Sequence, residues 1–126
     1  MEIRKQSDSA YQTNYTYSTM ERTYGASPSG ASGNSGSGTL EMTYYNLGNA
    51  IAEANSYNII ITNNKSSTYH TKVYGTAYGL SSGANATVRA FGGSSNTIQI
   101  DDRIKILPST GTLTHGEYAL YGYTRS

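Results

Sequence analysis

The chain has 126 residues, enough for one ordinary domain, and its formal net charge is +1 with only 13% charged residues. Neither a polyanion nor an anionic membrane surface would meet a strong opposing field, so nucleic acid is not expected as a partner. There is no cysteine, which removes disulfides and thiolate metal sites, and the aromatic content is lopsided, with 13 Tyr, one Phe and no Trp.

In chain order, Met1 to Lys5 is followed by polar residues with no apolar core, so no secretory leader is expected. No apolar run approaches the ~20 residues of a membrane span. Tyr11, Thr13, Tyr15 and Tyr17 then alternate with Gln12, Asn14 and Thr16, the pattern of a strand with one aromatic face. Alone, such a strand leaves its ladder groups unpaired, so residues 1–24 read as an N-terminal arm in need of a partner. Residues 25–38 are almost entirely Gly, Ser and Ala and read as a flexible spacer. Its typical reach is roughly 20 Å and its limit about 45 Å.

Residues 39–126 hold the short apolar runs that predict about seven to eight strands. The segments are Leu40 to Tyr45, Tyr57 to Thr62, Tyr69 to Tyr74, Thr87 to Phe91, Thr97 to Ile100, Ile104 to Leu107 and Glu117 to Tyr123. Turns are expected at Asn63 to Ser67, Gly92 to Asn96 and Pro108 to Gly111, where left-handed, permissive or proline-preset backbone is available. Only Leu47 to Asn55 has helical spacing, weakened by Gly48 and Asn49. The expected fold is all-β, a single antiparallel β-sandwich of jelly-roll or Ig-like type with an extended N-terminal arm. Its expected core is Met42, Ile59, Ile61, Val73, Val88, Phe91, Ile98, Ile100, Ile104, Ile106 and Leu120.

Residues able to support catalysis are sparse. His70 falls in an expected strand and His115 beside Gly116 in an expected loop, and their spacing from Glu117 suggests no metal site. Asp101 and Asp102 are adjacent, so in a strand they would point to opposite faces, and a turn held by Asp side chains is the better reading. No Gly-x-Ser-x-Gly elbow is present, and the Gly-rich tract has no lysine to cradle phosphate. A non-enzymatic protein without metal or cofactor is expected. Asn14, Asn64 and Asn85 each begin an N-glycosylation acceptor pattern.

The tyrosines offer two kinds of surface. Tyr69, Tyr74, Tyr78, Tyr118, Tyr121 and Tyr123 could present rings on which sugars stack, giving a glycan-binding module. Otherwise the tyrosines fill sheet edges and contacts between copies of the chain. Lys65, Lys72, Arg89, Arg103 and Lys105 could line a groove for single-stranded nucleic acid, but nearby acidic residues nearly cancel them.

The layout of arm, small-residue spacer and short-stranded core resembles the subunits of β-sandwich fibres, including endospore-appendage-type pilins, and small virion decoration or tail proteins. The stretches Asn58-Ile59-Ile60-Ile61-Thr62-Asn63-Asn64 and Gly83-Ala84-Asn85-Ala86-Thr87-Val88 are similar to sandwich strands of such subunits. The resemblance implies a self-assembling structural protein of an extracellular surface or virion. Its connector, here Tyr11 to Tyr17, would lie against a neighbouring copy. The appendage subunits cross-link their connectors through cysteine, a route closed to this chain.

Overall fold

The computed structural model describes residues 2–5, 14–27, 29–37, 39–42, 55–80, 85–107 and 116–122. These residues form strands and no helix: β1 (Glu2–Lys5), β2 (Tyr15–Thr23), β3 (Ser29–Ser37), β4 (Ser56–Thr62), β5 (Lys72–Leu80), β6 (Ala86–Ser95) and β7 (Asp101–Lys105). Five of them make one antiparallel sheet in the order β3-β2-β6-β5-β4, and β1 pairs with β7 in a separate two-stranded ribbon. With every pairing antiparallel, the two edge strands β3 and β4 run in the same direction.

Alternation divides the sheet into an inner and an outer face. On the inner face Tyr15, Val73, Ala77 and Phe91 are buried, Ile59, Ile61, Tyr17 and Tyr57 pack beside them, and Leu40 and Met42 cover them from the segment after β3. Each fully buried side chain of this kind contributes about 1.5–3 kcal/mol of gross stabilisation. The expected core is right for Met42, Val73 and Phe91, and Ile59 and Ile61 lie against them. Val88 is instead 58% exposed because its neighbours Thr87 and Arg89 take the inner face of β6. Ile98, Ile104, Ile106 and Leu120 are exposed as well.

The N-terminal third differs most from its sequence reading. Tyr15–Thr23, placed in the arm, is an interior strand of the chain's own sheet, paired with β6 over its whole length. Ser29–Ser37, placed in the flexible spacer, is its hairpin partner. The reversal at Tyr24-Gly25-Ala26 relies on Gly25 at φ 75° and on Ala26 N–H donating to Thr23 O at 3.1 Å. Tyr24 N–H also donates to Ala86 O at 2.8 Å, which ties the turn to the start of β6.

Other segments shift for local reasons. Asn63 adopts φ 62° in the turn after β4, where Ser66 N–H donates to Asn63 O at 3.0 Å, as the Asn-rich sequence implies. Gly92 to Ser95, expected to turn, continue β6, because the missing side chains let β2 and Leu40 approach: a Cβ on Gly93 would lie 2.6 Å from Thr16 O. Thr97 to Ile100 form bends, and residues 117–122 are exposed and without regular structure, although both were expected as strands. Leu40 to Met42 are likewise not strand, while the remainder of the expected Leu40 to Tyr45 strand, the short helix up to residue 54, and the Pro108 turn lie outside the described residues.

Candidate assembly and binding surfaces

The sheet ends in two chemically different edges. β4 is Ser-Tyr-Asn-Ile-Ile-Ile-Thr, seven residues with no charge and no proline, paired with β5 in unbroken register. Its other side has no partner strand among the described residues. Uncharged, regular, β-branched strands are the kind that accept another strand, since natural edges are usually blunted by lysine, proline or a bulge. β3, at the opposite edge, is Ser-Gly-Ala-Ser-Gly-Asn-Ser-Gly-Ser, with a register irregularity where it faces Tyr15 and Tyr17.

The outer face forms a regular lattice of exposed side chains. Across it run the rows Ser18–Gly92–Tyr74–Ile60, Met20–Ala90–Thr76–Asn58 and Arg22–Val88–Tyr78–Ser56. Gly92 leaves a gap beside the Tyr74 ring, and a shallow groove of about 450 Å³ opens there, bordered by Thr16, Ser18, Lys72 and Ser94. An aromatic ring beside hydroxyls and one ammonium can stack against an apolar ring face and hydrogen-bond its substituents.

The inner face has an apolar end and a polar end. At the polar end Glu21 and Arg89 are cross-strand partners, each 1% exposed, with Arg89 Nε 2.7 Å from Glu21 Oε2. Arg89 Nη1 also donates to Asn55 Oδ1 at 2.9 Å, while Glu21 Oε1 and Arg89 Nη2 are buried without a hydrogen-bond partner among the described residues. Burial pushes the Tyr57 phenol above the usual tyrosine range, with Arg89 opposing and Glu21 reinforcing that shift. The pair was hidden in the sequence because its members lie 68 residues apart. The available signal was alternation, which places Glu21 with Tyr15 and Tyr17, and Arg89 with Phe91, on one face.

A second buried polar group joins the loops. Asp101 does not make the expected turn; it begins β7, buried, with one carboxylate oxygen accepting from Thr71 Oγ1 and the other from Gln99 Nε2 at 2.8 Å. Its N–H donates to Asn64 O at 2.8 Å, and Ser95 N–H donates to Thr71 O at 3.1 Å. Asp102 is exposed beside it.

The remaining predicted residues scatter. Tyr15 is fully buried in the core and Tyr17 is half-buried against it, its phenol pushed upward by burial and by donation to the Glu41 carboxylate, while Tyr11 and Thr13 lie outside the described residues. Of the candidate glycan residues, Tyr74 and Tyr78 share the outer face, Tyr69 is exposed on the loop before β5, Tyr118 and Tyr121 are exposed in the segment 116–122, and Tyr123 lies outside the described residues. His70 is half-buried, and His115 is outside the described residues. Among the described residues no group of three His, Cys, Asp or Glu side chains could hold a metal, and no helix is long and apolar enough to cross a membrane. Of the three acceptor asparagines, Asn14 is engaged with Asn96, its Oδ1 accepting at 2.8 Å, Asn64 is half-buried and Asn85 is exposed. No family model, no curated protein and no solved structure matches this chain.

Proposed function

We propose that the chain is a non-catalytic structural subunit that associates with copies of itself through the edges of its sheet. The observation that carries this reading is β4, a regular, uncharged strand with Ile59, Ile60 and Ile61 at its centre and no partner on one side among the described residues. Two copies related by a two-fold axis would pair β4 with β4 in antiparallel fashion, continuing the pattern of the sheet. A second, weaker two-fold contact at β3 would extend the pairs into a filament or surface layer. The expected setting is an extracellular structure or virion.

This reading moves the assembly element away from the N-terminal arm. β2 lies inside its own sheet, and Tyr15 and Glu21 belong to its own buried face, so a chain beginning at Thr39 would lose two strands of the five-stranded sheet and also β1, the partner of β7. The β-sandwich expectation stays within this proposal: a second layer over the inner face, supplied by the chain's other segments, would complete it. Light scattering of the full chain over a wide concentration range should show mass rising from monomer to dimer and beyond. A constant monomer mass at the highest concentrations would end this reading.

The groove beside Tyr74 favours glycan binding as a second reading. Titration with neutral and acidic oligosaccharides, followed by tyrosine fluorescence, should then saturate in the wild type and fail in Tyr74→Ala. A flat response to both classes would dismiss it.

A further inference from the structure

We propose that Thr71 and Gln99 are the two halves of an intramolecular ester cross-link, with Asp101 carrying the proton between them. Three functional groups meet at this point: a hydroxyl, a carboxamide and the one carboxylate to which both are hydrogen-bonded. Thr71 donates to Oδ2 of Asp101 and Gln99 Nε2 donates to Oδ1, so nucleophile and leaving nitrogen stand side by side across a single carboxylate. That is the arrangement general acid–base catalysis requires, with the base already on the proton it must remove.

The surroundings favour the reaction and protect its product. Thr71 is fully buried and Asp101 nearly so, while Gln99 is half-buried, which leaves a side from which a small leaving group can depart. Both backbones are held, Thr71 by Ser95 N–H and Asp101 by its own donation to Asn64 O, so the hydroxyl and the carboxylate keep a fixed relation, and the Gln99 carboxamide is tied to that carboxylate by its own hydrogen bond. Exclusion of water at Thr71 would slow hydrolysis of an ester once formed.

In the reaction Thr71 Oγ1 attacks Cδ of Gln99 as its proton passes to Asp101. The tetrahedral adduct collapses with cleavage of the Cδ–Nε2 bond, and the proton moves from the Asp101 carboxyl to the departing nitrogen. The Oγ1–Cδ bond forms, ammonia leaves, Asp101 returns to its ionised form, and no oxidant, metal or cofactor is consumed. The bond would join the loop before β5 to the residues entering β7 in a chain that has no cysteine.

Mass spectrometry of the folded full chain, aged near neutral pH, tests this directly. The intact mass should fall by about 17 Da, the mass of the ammonia expelled when hydroxyl oxygen replaces amide nitrogen. A tryptic digest should contain residues 66–72 joined to residues 90–103. Thr71→Val and Gln99→Ala should each abolish the linked peptide, Thr71→Ser should retain it, and Asp101→Asn should slow or prevent it. Recovery of the two peptides separately at their sequence masses, from aged folded protein, would overturn the proposal. A 17 Da loss confined to one asparagine-containing peptide would overturn it equally.

Discussion

The two edges of the five-stranded sheet place opposite chemistries on the same backbone geometry. β4 combines an aromatic, an asparagine and three consecutive isoleucines, and its regular register leaves a straight row of ladder groups. β3 is built of serine, glycine, alanine and one asparagine, and its register is interrupted. Among the described residues neither edge has a further partner strand, and β4 carries the aromatic and branched side chains that pack across a new strand pair, from which most sheet stabilisation comes. Edge exposure alone therefore does not define an interface; the side chains beside the ladder decide which edge closes first.

The largest expected effect breaks the comparison by removing one edge. Glu21→Ala leaves the Arg89 guanidinium buried without its carboxylate, a change that costs about 3–5 kcal/mol, and it should loosen β2 and β3 from β6. Chemical denaturation should show the loss, with amide exchange accelerated in β2 and β3 before β4. Gly75→Ala acts at the other side. Its Cβ would lie 2.0 Å from Asn58 O and 2.8 Å from the Phe91 ring, and the forced shift should cost about 1–3 kcal/mol and weaken the seating of β4. Thermal unfolding of that variant should also show association falling with stability.

Ile60→Lys sharpens the comparison without breaking the fold. Ile60 is exposed on the outer face, so monomer stability should stay within about 0.5 kcal/mol of wild type. Self-association should weaken at least about tenfold because two lysines would approach across the two-fold pair. Ser32→Lys in β3 should leave pairing at β4 unchanged, and sedimentation of both variants beside the wild type checks the two expectations together.

The smallest effect concerns pH. Burial, chiefly, holds the Tyr57 phenol above its ordinary value. Below about pH 10 both folded and unfolded chains keep that proton, and stability is unaffected. Above it the unfolded chain ionises first, so stability should fall as pH rises toward the folded value. Tyr57→Phe should flatten that alkaline decline relative to wild type.

Strand chemistry was legible wherever branched residues carry it. Tyr57 to Thr62 matches β4 almost residue for residue, and Thr87 to Phe91 lies within β6. β5 was expected over Tyr69 to Tyr74 and instead spans Lys72–Leu80, running through Gly75 and Gly79. In the folded sheet they make room for Asn58 O with Phe91 and for the Asn55 side chain, respectively. β3 could not be read locally at all: nothing in Ser29–Ser37 favours a strand except the neighbour that the Gly25 turn lays beside it. Of the sites, the exposed Tyr74 and Tyr78 were recoverable from alternation. The Glu21–Arg89 pair and the Thr71–Asp101–Gln99 group depend on contacts between distant segments, which period-two reading does not encode.

Amide hydrogen exchange of β4 as a function of protein concentration measures the central claim at the atoms that make it. Those N–H groups of Ser56 to Thr62 that face away from β5 should exchange rapidly in dilute protein and slow in step with the appearance of dimers, while β3 amides change less. Rapid exchange along that edge in concentrated, demonstrably associated protein would show that copies of the chain meet somewhere else.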